Sequence, residues 1–191
     1  MKKINRVYDV ELRALDDDSR TVEGYAVVFN ASTDLGWFTE EIDRNAFNEA
    51  DMSNVYLLFN HDDNNVLAGT LNGSLKMNIN EKGLFQSSEI IDTNVGEDVL
   101  KLVKKGLINK MSFAFTIDED GGEEWSKKDG KEHRVIKRIS RLYDVSLVTY
   151  PAYEQTSAYA RSMTDDLAEE HKRRAEQSER MERILNGKYL K

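Results

Sequence analysis

Large and small side chains alternate along the stretch NKMSFAFTID, residues 109–118. The large apolar positions are Met111, Phe113, Phe115 and Ile117, and the small positions between them are Ser112, Ala114 and Thr116. Because successive side chains of a β-strand point to opposite faces, this pattern predicts a strand with one face in a hydrophobic core. The opposite face is almost bare and carries the hydroxyl of Ser112 near the start of the strand.

Strand patterns continue through most of the first 150 residues. They occur in VYDVELRAL (7–15), TVEGYAVVFN (21–30), NVYLLFNH (54–61), LNGSLKMNINEKGLFQSSEII (71–91) and RVIKRISRLYDVSLVTY (134–150). The polar segment EDGGEEWSKKDGKEH between the last strands predicts a loop or a loose hairpin. We therefore expect an α+β fold that is mainly β, with six to eight strands in a mostly antiparallel sheet or barrel and helices at its periphery.

Two segments have the pattern of helices. NVGEDVLKLVKKGL (94–107) has an apolar stripe at helical spacing, with Asn94 as the expected N-cap and Glu97 at the capping-box position. Gly106 is the expected stop of this helix. DRNAFNEADM (43–52) is a shorter candidate for a second helix.

The composition changes near residue 163. The segment TDDLAEEHKRRAEQSERMERILNGKYLK (164–191) is rich in Glu, Arg and Lys and has few large apolar residues. Thr164 suits the start of a helix and Gly187 its end. We predict a β domain over residues 1–163 and a charged helical tail over 164–191, and a charged tail without a role of its own is the alternative.

The charge and the cysteine content exclude several classes of function. The 191-residue chain has a formal net charge of −8 and no cysteine. An acidic body disfavours sequence-independent binding of nucleic acid, and a chain without cysteine has no disulfide, thiol nucleophile or thiolate metal site. No apolar run reaches the roughly 18 residues that span a membrane, and the N-terminus lacks the apolar core of a secretory signal. We expect neither nucleic acid nor a membrane as a partner.

The three histidines differ in their surroundings. His133 lies in the polar segment and His171 in the charged tail, so both are expected at the solvated surface. His61 ends an apolar strand, where it is expected on one face with Leu57 and Phe59. A histidine that is simply hydrogen-bonded at a strand end fits this spacing as well as a functional one does.

Hydrolysis without cysteine needs a serine or threonine with a base, paired carboxylates, or a metal. HDD at 61–63 is the only His/Asp cluster and has no second His at ligand spacing, so ordinary loop carboxylates are favoured over metal ligands. Ser112 alone fits a small residue at a close packing contact. Asp144 is an acid on a strand otherwise fit for burial, which is costly unless a donor such as a histidine N–H satisfies it. An edge-strand aspartate that faces water is the alternative.

Four stretches, taken in order, carry a resemblance to a known family. They are TVEGYAVVFN, LFNHDD, LINKMSFAF and LYDVSLVTYPAYEQTSAYAR, and with the connecting strands they cover roughly residues 5–162. In this order and spacing the chain resembles the prohead (procapsid) maturation proteases of tailed bacteriophages. These are related in fold to the herpesvirus assembly proteases, the assemblins.

The resemblance implies a serine endopeptidase that needs no metal or organic cofactor. It makes His61 the general base, Ser112 the nucleophile and Asp144 the third catalytic residue. The herpesvirus relatives have a second histidine at the position of Asp144, so this chain departs from them toward a Ser–His–Asp arrangement. They also have paired arginines implicated in oxyanion stabilisation, where this chain has TYPAYE (149–154), so the oxyanion donors stay open. The small face of the strand at Ser112 would then let an extended substrate peptide lie close to the hydroxyl.

The resemblance also implies a biological setting. The substrate would be capsid scaffold, or a scaffold-like extension of the major capsid protein, together with the protease itself. The enzyme would act in the host cytoplasm, inside the assembling procapsid, and self-association there would control its activity. Two alternatives stay open, namely a non-catalytic procapsid assembly module on the same fold and a small β-barrel binding protein unrelated to capsids.

Overall fold

A computed structural model describes residues 3–9, 12–14 and 19–149, together with Glu169, Lys172, Arg173, Glu176 and Gln177. The chain divides into two units, Met1–Glu154 and Gln155–Lys191. The described residues of the second unit are helical, whereas the rest of the predicted tail, including His171, lies outside the described residues. The boundary near residue 163 and the tail as a separate domain stay predictions.

The first unit is mainly β, as predicted. Its described residues form thirteen strands and one α-helix. The strands are β1 (Ile4–Asp9), β2 (Arg13–Ala14), β3 (Thr21–Val28), β4 (Thr33–Asp34), β5 (Phe38–Ile42), β6 (Tyr56–Phe59), β7 (Asp62–Gly69), β8 (Leu75–Ile79), β9 (Gly83–Glu89), β10 (Lys110–Ile117), β11 (Glu123–Lys128), β12 (Lys131–Ile136) and β13 (Ile139–Val148), and the helix is α1 (Asn94–Lys104). This number exceeds the six to eight expected, since several short or polar strands have no clear apolar alternation.

The strands form three sheets. Their orders are β1-β10-β13-β6-β7, β11-β12-β5-β4 and β2-β3-β9-β8. Pairing is antiparallel except for β13 with β6 and β12 with β5, so the mostly antiparallel topology is confirmed. No sheet in the described part of the chain closes on itself, so the barrel is not confirmed and stays a prediction.

The strand quoted first is an inner strand of the five-stranded sheet. β10 pairs with β1 on one side and with β13 on the other. Met111, Phe113 and Phe115 are buried in the hydrophobic core, where the rings of Phe113 and Phe115 stack with centroids 4.8 Å apart. The predicted apolar face is therefore confirmed, with Ile117 only partly buried at its end.

A β-bulge in the pairing of β10 with β13 changes which side chains of β13 face the core. Asp144 lies opposite Ala114, but Leu142 lies opposite Phe115, which leaves Tyr143 as the extra residue. Leu142 therefore enters the core, and Tyr143 stays half-buried.

The N-cap of helix α1 lies one residue earlier than predicted. The Thr93 side chain accepts a hydrogen bond from Gly96 N, so Thr93 and not Asn94 is the N-cap. Glu97 does not complete a capping box, because its carboxylate pairs with Arg20, the residue before β3. No helix in the described part of the chain has the length and apolarity needed to cross a bilayer.

The prediction of a second helix over residues 43–52 is wrong. Residues 44–49 form consecutive turns, in which Ala46 N bonds to Asp43 O. Tertiary contacts fix this conformation, since the carbonyl of Ala46 accepts from Ile139 N and the Phe47 ring lies 6.3 Å from that of Phe113.

Candidate active site

His61 lies in the tight turn between β6 and β7. Asn60 and His61 both have left-handed backbone conformations, with φ of 55° and 58°, and Phe59 pairs with Asp62 across the turn. Two consecutive residues with positive φ are typical of a type I′ hairpin turn, and asparagine and histidine tolerate this region better than most residues. His61 therefore does not continue the strand face of Leu57, as the alternation had predicted.

The turn is held against the end of β13. Asn60 N donates to Leu147 O at 2.9 Å, and Thr149 N donates to Asn60 Oδ1 at 3.1 Å. Because β13 also lies beside β10, this anchoring holds the imidazole of His61 above the middle of the five-stranded sheet.

Ser112 lies beneath that imidazole. It is fully buried on β10, and its Oγ lies 2.5 Å from His61 Nε2. The same Oγ lies 2.9 Å from the carbonyl oxygen of Arg6 on the neighbouring strand β1. A serine hydroxyl has one proton, so Ser112 donates to only one of these acceptors at a time. The arrangement that can activate the hydroxyl is the one in which it donates to Nε2.

Asp144 holds the other side of the ring. It lies on β13, and its Oδ1 is 2.6 Å from His61 Nδ1, while Oδ2 forms an ion pair with Lys3 Nζ at 3.0 Å. Burial raises the pKa of Asp144, but the hydrogen bond and charge of His61 and the ammonium of Lys3 lower it more strongly, so its pKa lies below the ordinary value of 3.8. The carboxylate is therefore ionised at neutral pH, and the alternative of an aspartate facing water is wrong, since Asp144 is 1% exposed.

The structure thus brings together Ser112, His61 and Asp144, which are far apart in the sequence. A carboxylate that accepts from Nδ1 fixes the proton there and leaves the lone pair of Nε2 facing the serine hydroxyl. This arrangement can deprotonate the hydroxyl as it attacks an electrophile, which is the chemistry of nucleophilic serine hydrolases.

The small face of β10 is closed in this structure. Ser112 and Ala114 are both fully buried, whereas the sequence predicted a bare face open to a peptide. The strand β1 runs along β10 on one side, with Asn5 opposite Ala114, and the His61 ring contacts Ser112 from above. The Ser112 side chain therefore has no exposed surface in this conformation.

A buried ion network supports β1 beside the serine. Arg6 donates to both carboxylate oxygens of Glu40, and Arg134 Nη1 donates to Glu40 Oε2 at 3.0 Å. Burial raises the pKa of Glu40, but the two guanidinium groups outweigh it and hold that pKa below its ordinary value. The network fixes the side chain of the same Arg6 whose carbonyl oxygen lies 2.9 Å from Ser112 Oγ.

The sequence missed three contributors to this site. Ser146, two residues after Asp144, places its hydroxyl 2.8 Å from Asp144 Oδ1, and the period of two along the strand could have revealed it. No pattern in the sequence indicated the roles of Lys3 and Asn60, because these roles depend on how the N-terminal segment and the hairpin turn pack.

The other histidine among the described residues, His133, lies in a different sheet. His133 is buried, not solvated as predicted, and its Nδ1 lies 2.8 Å from Thr39 Oγ1. It is buried because β12 pairs with β5 and so forms an inner strand of its sheet. Across the described residues, no three His, Asp or Glu side chains cluster in a way that could hold a metal ion, and Asp62 accepts hydrogen bonds from Asn64 and Asn65 within its own turn.

Comparison with known proteins identifies the family. A family model described as caudovirus prohead serine protease matches residues 8–171, which is most of the chain. The chain belongs to this family. Prohead proteases of this family are serine proteases, so the chain is a serine endopeptidase of a tailed bacteriophage, and the non-catalytic alternatives are wrong.

One solved structure similar to this prohead protease is the capsid assembly protease of bacteriophage T4. The two share 10% sequence identity with a TM-score of 0.49, and the match covers 77% of this chain and 97% of that chain. A search of curated proteins found no match.

Proposed function

We propose that Ser112, His61 and Asp144 are the catalytic triad of this prohead protease. The observation that carries the proposal is the continuous hydrogen-bonded chain from Ser112 Oγ through both ring nitrogens of His61 to Asp144, with distances of 2.5 Å and 2.6 Å. Its support is independent of the family match, because the contacts involve side chains from three separate strands or turns.

The mechanism follows from the geometry. Ser112 Oγ attacks the carbonyl carbon of the scissile peptide bond while its proton passes to His61 Nε2. Asp144 stabilises the resulting imidazolium through Nδ1–H. His61 then gives the proton to the leaving amine, the C–N bond breaks, and an acyl-enzyme remains on Ser112. Water, deprotonated by His61, attacks the ester and releases the acid product with the free serine. No metal or organic cofactor enters any step.

The proposed substrates are capsid scaffold, or a scaffold-like extension of the major capsid protein, and the protease itself. Family membership supports a target within the prohead. The charged segment 164–191 is the proposed site of self-cleavage, because its composition suits a solvated segment outside the β domain.

Activity is proposed to depend on the assembling procapsid in the host cytoplasm. Full burial of Ser112 supports this, since the site needs a rearrangement before a peptide can enter. Packing inside the shell raises the local concentration of protease and substrate, and binding to the open form would then stabilise it by mass action. Premature destruction of scaffold would thereby be avoided.

The proposal is tested by assembling procapsids with wild-type, Ser112→Ala or His61→Ala protease. Ser126→Ala is the matched control, because Ser126 is an exposed serine on β11, a strand of a different sheet. Cleavage of scaffold and of the protease is followed by gel electrophoresis and by mass spectrometry of the new termini. The two active-site variants should each lose on the order of 10⁴ or more in rate, and the control should be unchanged. Cleavage by Ser112→Ala procapsids at the wild-type rate would contradict the proposal.

A further inference from the structure

A second serine hydroxyl lies beside the histidine. Ser146 is fully buried on β13, directly opposite Ser112 on β10 and on the same face as Asp144. Its Oγ donates to Asp144 Oδ1 at 2.8 Å and lies 3.2 Å from His61 Nδ1.

The single proton of this hydroxyl decides what Ser146 presents to the ring. The carboxylate of Asp144 can only accept, so the Ser146 proton is used in the 2.8 Å bond to it. Only lone pairs of Ser146 Oγ are then left to face Nδ1. A lone pair facing Nδ1 favours a ring that is protonated there, and the contact to Asp144 Oδ1 favours the same tautomer.

The position of the ring proton also determines which form of Nε2 faces Ser112 on the other side of the ring. With the proton held at Nδ1, the neutral ring presents an unprotonated Nε2 to Ser112 Oγ at 2.5 Å. The hydroxyl also ties Asp144 Oδ1 to its own strand, which limits the rotation of the carboxylate away from the ring.

We propose that Ser146 is a positioning residue that holds the His61 tautomer and the Asp144 carboxylate for catalysis. This inference rests on the proposed triad and adds to it a role for a residue that never touches the substrate. Loss of one hydrogen bond to a charged group predicts that activity falls by about 10- to 100-fold, with little change in binding.

The test compares Ser146→Ala with Ser140→Ala. Ser140 lies on the same strand, and its hydroxyl also makes a side-chain hydrogen bond, to Thr116 Oγ1 at 2.8 Å, but it does not belong to the triad. Both variants and the wild type are treated with a small serine-reactive fluorophosphonate over a range of concentrations. The maximal labelling rate and the half-saturating concentration are measured separately, and ¹⁵N NMR of His61 reports which ring nitrogen carries the proton.

The expected result is a 10- to 100-fold lower maximal labelling rate for Ser146→Ala at an unchanged half-saturating concentration, with a larger fraction of the Nε2–H tautomer. Ser140→Ala should match the wild type in both readouts. Ser146→Thr keeps the hydroxyl and should restore most of the rate. Equal rates and tautomers in wild type and Ser146→Ala would overturn the inference while leaving the triad intact.

One further outcome concerns the proposed function alone. Absence of labelling at Ser112 in the wild type, both as purified protein and within procapsids, would overturn the triad itself. If the Ser146 variants do not fold, the ¹⁵N spectrum of His61 in the wild type still tests the inference. A neutral His61 ring that is protonated at Nε2 would contradict the role of Ser146.

Discussion

Replacement of Asp144 by asparagine changes one atom of the site and should almost abolish activity. The carboxylate makes three contacts, from His61 Nδ1 and Ser146 Oγ to Oδ1 and from Lys3 Nζ to Oδ2. An asparagine amide has one oxygen and one NH₂ group, so it cannot accept on both sides. The orientation that the amide takes decides which His61 tautomer survives.

Lys3 selects the unproductive orientation. With NH₂ toward Lys3, two donors would meet at the 3.0 Å separation of the present ion pair, which is repulsive. With the amide oxygen toward Lys3, that contact is satisfied, and NH₂ faces His61 Nδ1. The ring must then accept at Nδ1, so its proton moves to Nε2 and points at Ser112.

The magnitude follows from this wrong tautomer. An aspartate-to-asparagine exchange in a Ser–His–Asp triad lowers kcat by about 10⁴, equivalent to about 5.4 kcal/mol of transition-state stabilisation. We expect that loss for Asp144→Asn, measured as the initial rate of scaffold cleavage per protease copy in procapsids. Thermal unfolding serves as the control, because the amide keeps the shape of the carboxylate.

A double variant makes the reasoning refutable. Lys3→Met removes the preference for the unproductive orientation, so Lys3→Met combined with Asp144→Asn should recover activity on the order of tenfold over Asp144→Asn alone. Lys3→Met by itself should change the rate far less than Asp144→Asn does. Wild-type activity of Asp144→Asn, or a further loss in the double variant, would refute the account.

Two stability predictions concern residues outside the triad. Glu40→Gln leaves the buried charges of Arg6 and Arg134 without their carboxylate and should lower the free energy of unfolding by about 3–5 kcal/mol in urea titrations. An unchanged midpoint would show that the network contributes little. Gly83→Ala should destabilise by about 1–3 kcal/mol, since the added Cβ would overlap the carbonyl of Val27, whereas at the control Gly69→Ala the nearest atom lies at an ordinary 3.4 Å. Equal unfolding midpoints for these two glycine variants would contradict the packing at Gly83.

The strands of the central sheet could be predicted because their side chains alternate strongly. Met111, Phe113 and Phe115 fill the core as expected, and the strand pattern of residues 71–91 forms the paired strands β8 and β9. The polar strand β11 gave no such signal, because it is held by pairing with β12 and by the stacking of Trp125 on Trp37, 5.5 Å apart. Long-range contacts of this kind are not visible in a local pattern.

The residues of the site could be predicted from the sequence, but their three-dimensional arrangement could not. The resemblance supplied His61, Ser112 and Asp144, yet alternation placed His61 on a strand face, whereas the structure has it in a left-handed turn. The closed face over Ser112 depends on where β1 packs, and the role of Lys3 depends on the same packing. Such details come from tertiary contacts between distant segments, which residue types and spacing do not specify.

The most direct test of the central claim is the site of covalent modification by a fluorophosphonate. Intact mass and peptide mapping should give one adduct per chain in the wild type, attached to Ser112 Oγ, and no adduct in Ser112→Ala or His61→Ala over the same period. Modification of another residue, or labelling of His61→Ala at the wild-type rate, would contradict the claim that this imidazole activates this hydroxyl.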